Sequence, residues 1–157
     1  AQIPLADLIG YLRNSHRDYL ESRMPAIINR ILDVVGGSDA ENGEVLAGFC
    51  EQYRQEVIAH FNYEEQTVYP YITALLKGER PDSYKIKEYE SNHSDLDAAL
   101  SDLKNIMIKY LPAGFDFEMC RNVLIGLFLF ESDLNKHTLL EDRILVSLVE
   151  QMEKNHR

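Results

Sequence analysis

Two pairs of residues carry the chemistry worth following in this sequence. In HFNYEEQTVYPYI, residues 60–72, His60 and Glu64 stand four apart, and in HTLLEDRILVSLV, residues 137–149, His137 and Glu141 repeat the arrangement. On a helix that spacing stacks an imidazole and a carboxylate one turn apart on a single face. Two further histidines complete a pattern. His16 precedes His93 by 77 residues, His60 precedes His137 by 77, and Glu64 precedes Glu141 by 77. The chain reads as two helical hairpins in tandem, each with a histidine on its first helix and an H-x-x-x-E pair on its second. Equivalent residues of two such hairpins meet at one level and form a pseudo-twofold site.

The surrounding apolar residues place both glutamates on faces that should be buried. Two ionised carboxylates inside a core, with no Lys or Arg on the same stripes at those levels, cost several kcal/mol each, on the order of a lost buried ion pair, unless a cation compensates them. Imidazole nitrogens with carboxylate oxygens are a ligand set that iron, manganese and zinc accept. Six inward ligands, His16, His60, Glu64, His93, His137 and Glu141, exceed the four of a tetrahedral zinc and suit two metals. If both glutamates bridge, each metal takes two nitrogens and two carboxylate oxygens. A bridging oxide or hydroxide adds a fifth ligand, and one position per metal stays open. Iron profits most from an open pair of this kind, because it can bind or reduce dioxygen, peroxide or nitric oxide; manganese stays open as an alternative.

Helices must carry these residues. Gly- and Pro-containing clusters, VVGGSDAENGE at 34–44, KGERPDS at 77–83 and YLPAGFD at 110–116, leave four segments at about 5–35, 43–77, 82–111 and 116–154. Apolar residues recur three and four apart in all of them. The stripes are Ile9, Leu12, His16, Tyr19 and Ile27; Tyr53, Val57, His60, Glu64, Val68, Tyr71 and Leu75; Ile86, Tyr89, His93, Leu96, Leu100, Leu103 and Met107; and Phe130, Leu134, His137, Glu141, Leu145 and Leu148. Pro25 removes a backbone donor and should bend the first helix. Alternation is lacking and no NG or DG hairpin appears, the Asn42-Gly43 pair being flanked by no alternating run, so strands are not expected. Short connections predict an all-α, up-down-up-down antiparallel four-helix bundle with the metal site in its core, filling residues 1–157 as one domain.

Composition narrows the partners. A net charge of −10 repels phosphate-rich surfaces, so this domain is expected to bind neither nucleic acid nor membrane. No apolar run of 18 residues occurs, and AQIPLADLIGYLRNSH lacks the basic start and apolar centre of a signal peptide, which predicts a cytoplasmic protein. Cys50 and Cys120 have no metal-knuckle spacing and are expected as two buried reduced thiols. The chain begins at Ala1, which leaves open that it is a domain of a longer protein.

The stretches NSHRDYLESRMP, HFNYEEQTVYP, SNHSDLDAAL and KHTLLED, in the order H, HxxxE, H, HxxxE, resemble the hemerythrin-like, or HHE cation-binding, family over nearly the whole chain. The resemblance implies a non-haem di-iron centre in which His16, His60, His93 and His137 are terminal ligands and Glu64 and Glu141 bridge. Two HxxxE pairs look more like the di-iron iron–sulfur cluster repair proteins than the oxygen carriers, which typically have a fifth histidine ligand and an aspartate in the second pair. Here the remaining histidine, His156, lies in the polar tail, and Glu141 takes the aspartate's place. Two departures from the repair proteins stand beside this. Residues 1–15 carry no cysteine where the repair proteins have a cysteine-bearing N-terminal segment, and Asn92, with Glu90 further upstream, stands where they carry a glutamate before the third histidine. Glu65 and Glu56 read as solvated helix charges, and Asp97, one turn after His93, could enlarge the site or hydrogen-bond a ligand.

The expected function is handling of dioxygen, nitric oxide or iron by two iron ions, with manganese or zinc as substitutes. Iron–sulfur cluster repair under oxidative or nitrosative stress is one role within that expectation, with an iron–sulfur protein or redox protein as its partner. The alternative is an oxygen or redox sensor or carrier domain of a larger regulatory protein, acting without turnover. A phosphorelay bundle needs one exposed histidine rather than four on core stripes. A metal-free structural bundle leaves both glutamates unexplained.

Overall fold

The computed structural model describes residues 3–36, 40–81, 85–90, 93–110 and 116–155, with the side chains of residues 40–42, 90 and 93–95 outside that description. Every regular element among the described residues is helical. In chain order they are α1 (Leu5–Asp18), a π turn (Tyr19–Arg23) and α2 (Met24–Val35); α3 (Ala40–Tyr63), a π turn (Glu64–Val68) and α4 (Tyr69–Leu76); α5 (Lys87–Glu90) and α6 (His93–Tyr110); then α7 (Phe117–Leu140), a π turn (Glu141–Leu145) and α8 (Val146–Asn155). Residues flanking each π turn keep right-handed helical dihedrals, so α1–α2, α3–α4 and α7–α8 are continuous rods, the first, second and fourth in chain order, with α5–α6 in the third place.

Local chemistry sets their ends. After α4 the chain turns at Gly78, whose φ of 81° lies in the left-handed region that only glycine occupies freely, and the amides of Gly78 and Glu79 close back on the carbonyls of Leu75 and Ala74. At the start of α7 the Asp116 carboxylate accepts from the Met119 amide at 3.0 Å, satisfying one of the orphan donors of the first turn. The first two π turns run directly into Met24-Pro25 and Tyr69-Pro70. A proline withholds the N–H that a regular ladder would use, and the departure from α geometry expected at Pro25 takes the form of a widened turn upstream of it.

The π turns also explain where the predicted stripes drift. Up to each turn the expected positions are buried, except His60, which is half-buried: Ile9, Leu12, His16 and Tyr19 in the first rod, Tyr53, Val57 and Glu64 in the second, Phe130, Leu134, His137 and Glu141 in the fourth. A π turn holds one extra residue, so the inward register advances by one beyond it. In the first rod Met24 and Ile31 are buried while Ile27 is half-buried; in the second Tyr69 and Ile72 join Val68, Tyr71 and Leu75; in the fourth Val149 replaces Leu148. In α5–α6, which contain no π turn, Tyr89, Leu96, Leu100, Leu103 and Met107 are all buried, as is Ile86 just before them.

Contacts between elements close a ring. The first rod lies against the second through α2 and α3 and against the fourth through α2 and α7; α3 lies against α6, and α6 against α7. Ion pairs tie the neighbours. Arg23, in the first π turn, holds Asp18 at 2.7 Å and reaches across to Asp133 of α7, and Lys104 of α6 meets Glu131 of α7 at 2.6 Å. At the opposite end Glu153 of α8 accepts from the Tyr71 hydroxyl at 2.5 Å and from the Ile86 amide at 3.1 Å, which fixes α4 and the approach to α5 against α8.

The core falls into two clusters. One gathers residues of α2, α3, α6 and α7, such as Ile31, Val57, Leu100 and Leu127; the other gathers residues of α1, α4 and α8 with Ile86 and Tyr89. Truncating a fully buried aliphatic such as Leu12 or Ile31 to alanine costs about 2–5 kcal/mol, a large share of a small domain's stability. Between the clusters lies a polar layer made of His16, Glu64, His137 and Glu141, the only charged or strongly polar side chains fully buried among the described residues.

Candidate metal centre

Each rod delivers its share of this layer from just before, or at the start of, a π turn. His16 sits three residues ahead of the first, and Glu64 and Glu141 open the second and third. Ligand atoms of His16, Glu64, His137 and Glu141 all lie within 4.8 Å of one another, and all four side chains are buried. His16 Nε2 is 2.8 Å from Glu64 Oε2 and 3.9 Å from Glu141 Oε1, and His137 Nε2 is 2.9 Å from the same Glu141 oxygen. His60 stands on the other side of Glu64, its Nε2 2.5 Å from Oε1. Glu64 thus divides its two oxygens between two histidines, the disposition of a bridging carboxylate.

Of the six candidates read from the sequence, five are therefore brought to one layer. The sixth, His93, opens α6, but its side chain lies outside the described residues, as do those of Glu90 and Asn92 and the whole of His156. Asp97 is exposed. Glu56 is half-buried on α3 and accepts from Gln52 at 3.1 Å, consistent with a helix-surface charge.

Glu65 does more than the solvated charge expected of it. Its Oε1 lies 3.0 Å from His16 Nδ1, and Arg13 donates to its Oε2 at 3.1 Å. The rear nitrogen of His137 is held as well, with Ser15 Oγ 3.1 Å from Nδ1. Such partners fix the ring and turn Nε2 toward the centre of the layer. Phe61 stacks on His16 at 4.0 Å between ring centroids and 14° between planes, closing the layer toward the larger core cluster. A pattern search for charged ligands passes over Ser15 and Phe61, because their types are ordinary in a helix and only the fold places them behind or against the imidazoles.

Two tyrosines were also out of reach of that search. Tyr69 donates to Glu64 Oε2 at 3.1 Å and lies 3.5 Å from Glu141 Oε1 and 3.3 Å from His16 Nε2. Its position departs from the regular stripe because the π turn carries residue i+5 over residue i, and the Tyr69 amide bonds to the Glu64 carbonyl across that turn. Tyr89, buried on α5, faces the same carboxylates. Burial and the charges of Glu64 and Glu141 hold both phenols above their ordinary range, so each keeps its proton.

Electrostatics test whether the layer suits a cation. Burial alone would push the His16 imidazolium down, but the neighbouring carboxylates of Glu141, Glu64 and Glu65, which favour the protonated ring, outweigh it and raise His16 to about 9. Two buried carboxylates, 0% exposed as residues, draw a positive charge between them. A metal ion answers the same demand with more charge, and the donors, two to three imidazole nitrogens and two carboxylates, are those of iron, manganese or zinc sites. The layer fits a metal.

The family model of the hemerythrin HHE cation-binding domain matches residues 7–149, and the chain belongs to that family. No curated protein and no solved structure matches it. Among the described residues, no helix is long and apolar enough to cross a membrane.

Proposed function

We propose that this HHE domain is a non-haem di-iron protein that handles dioxygen, nitric oxide or iron, iron–sulfur cluster repair under oxidative or nitrosative stress being one role within that reading. The observation that carries the reading is the four-donor layer of His16, Glu64, His137 and Glu141, two of them carboxylates sealed from solvent. One metal would be held by His16 and His137, the other by His60 and His93, with Glu64 and Glu141 shared; manganese or zinc could replace iron in the same donors. When bound, the pair supplies one- and two-electron chemistry toward small diatomic ligands. The chain's own residues do the rest. Glu65 and Ser15 orient two imidazoles, Phe61 and the flanking apolar clusters limit water, and Tyr69 and Tyr89 place hydroxyls against the carboxylates.

The scaffold we infer is an antiparallel four-helix bundle of one domain, residues 1–157, supported by the closed ring of contacts among the first rod, the second rod, α6 and the fourth rod, and by a family match over residues 7–149. Cys50 and Cys120 are buried thiols outside any disulfide, which suits a reducing cytoplasm. An iron–sulfur or redox protein is the partner this role requires.

The experiment reduces the iron-loaded protein without oxygen, admits oxygen, and then removes it while the visible spectrum is followed. Two irons per chain and a spectrum that stays oxidised after deoxygenation are expected. Full return of the reduced spectrum on deoxygenation alone would make the chain a carrier or sensor, and no iron after anaerobic reconstitution would remove the di-iron reading altogether.

A further inference from the structure

The two halves of the chain correspond at an offset of 77 residues, and the positions that break the correspondence are the informative ones. Tyr69 is matched by Val146, and Tyr89 by Leu12. All four side chains are buried, at 0–2% exposure, within the smaller core cluster that borders the polar layer. Each half therefore carries one tyrosine and one aliphatic there, but on opposite members of its helical hairpin.

Tyr69 and Val146 invite direct comparison because their backbones are alike. Each follows a five-residue π turn that begins with a glutamate, and each returns its amide to that glutamate's carbonyl. The same backbone, equally buried, accepts valine at one end and tyrosine at the other. Neither the turn nor the packing demands an aromatic ring with a hydroxyl. What tyrosine adds is an O–H among three ligand atoms, Glu64 Oε2 at 3.1 Å, His16 Nε2 at 3.3 Å and Glu141 Oε1 at 3.5 Å. These are the oxygens that face His16 and His137, whereas the Glu64 oxygen facing His60 is the other one.

We propose that Tyr69 is a positioning residue whose hydroxyl ties Glu64 to Glu141 on the His16–His137 side and so makes that metal position unlike the one beside His60. This rests on the metal reading above. A hydroxyl shared between the carboxylates fixes which lone pairs turn toward His16 and His137 and draws electron density from them. Val146 offers no such donor at the repeat-related place.

The test is an anaerobic titration of the full chain with cobalt(II), followed by its visible absorption, on the wild type, Tyr69→Phe and Tyr71→Phe. Tyr71 is the control, since its buried hydroxyl serves Glu153 and helix packing rather than the layer. The wild type is expected to take up two ions in unequal steps. Tyr69→Phe should weaken one step by about tenfold or more and shift its absorption band while leaving the other step in place. Tyr71→Phe should lower the melting temperature and leave both steps intact. Wild-type steps and bands in Tyr69→Phe would overturn the proposal, and so would equal weakening of both steps. A wild-type chain that takes up no cobalt would overturn the metal reading itself, and the tyrosine role with it.

Discussion

His60–Glu64 and His137–Glu141 lead into π turns of the same length, Glu64–Val68 and Glu141–Leu145, with the same amide-to-carbonyl closure, yet their surroundings differ. The first turn is followed by Tyr69-Pro70 and the second by Val146-Ser147. Proline explains a loosened ladder in the first case and cannot explain it in the second. What the two turns share is a buried glutamate at their first position. The turn at Tyr19–Arg23 is the converse, with Pro25 after it and no glutamate at its start. A widened turn in this protein thus has two separable origins, a missing backbone donor and a carboxylate that must reach the core layer, and the second rod combines them.

The comparison breaks most severely if the glutamates are not equivalent. On the di-iron reading Glu64→Ala and Glu141→Ala would each remove a carboxylate shared by both metals, so each should abolish most iron binding at both positions, while Lys136→Ala, an exposed change one residue from His137, should retain it. Iron analysis after anaerobic reconstitution decides the matter, and equal iron in all three variants would remove the bridging role. A histidine, proposed as a terminal ligand, should cost less. His137→Ala and His60→Ala should each leave roughly one iron of two, because on that reading each ring would serve a single metal. Loss of both irons from either variant would mean that the positions fill only together.

How far the sequence could be read follows from the same turns. The 3.6-residue period locates the helices and carries His16, Glu64, His137 and Glu141 to one layer because none of the four lies beyond a π turn. Past the turns the period slips by a residue, which is why Ile27 and Leu148 are only half-buried and why Tyr69 was assigned to no stripe. A π turn leaves no signature in apolar spacing alone. Met24-Pro25 and Tyr69-Pro70 hint at two of the three, and Val146-Ser147 gives no hint at all. Glu65 and Ser15 were invisible for a different reason, since their partners, His16 and His137, belong to other rods and the contact exists only once those rods have packed.

Those two residues supply the next sharpening. Glu65 backs His16 with a carboxylate also paired to Arg13, and Ser15 backs His137 with a neutral hydroxyl. Loss of a partner of this kind costs about 10–100-fold in metal affinity. Glu65→Gln, which keeps an acceptor and loses the charge, is expected near the bottom of that range, and Ser15→Ala somewhat below Glu65→Ala. Competition with a chelator of known affinity measures all three, and a larger loss from Ser15→Ala than from Glu65→Ala would reverse the ranking of the two histidines.

The smallest effect expected is at Pro70. If proline alone widened the second turn, Pro70→Ala would restore an N–H to the ladder, the turn would tighten to α geometry, and Tyr69 would swing off the face it shares with Glu64. The fourth rod argues otherwise, because Ser147 has its N–H and the Glu141 turn is wide all the same. Pro70→Ala should then change stability by less than about 1 kcal/mol, the scale of proline's effect on the unfolded chain where its conformation is already compatible. Iron stoichiometry should stay at the wild-type value. Thermal melting with iron analysis reads both quantities, and a Pro70→Ala chain that folds normally but loses iron would show that the proline, rather than the buried carboxylate, holds that turn open.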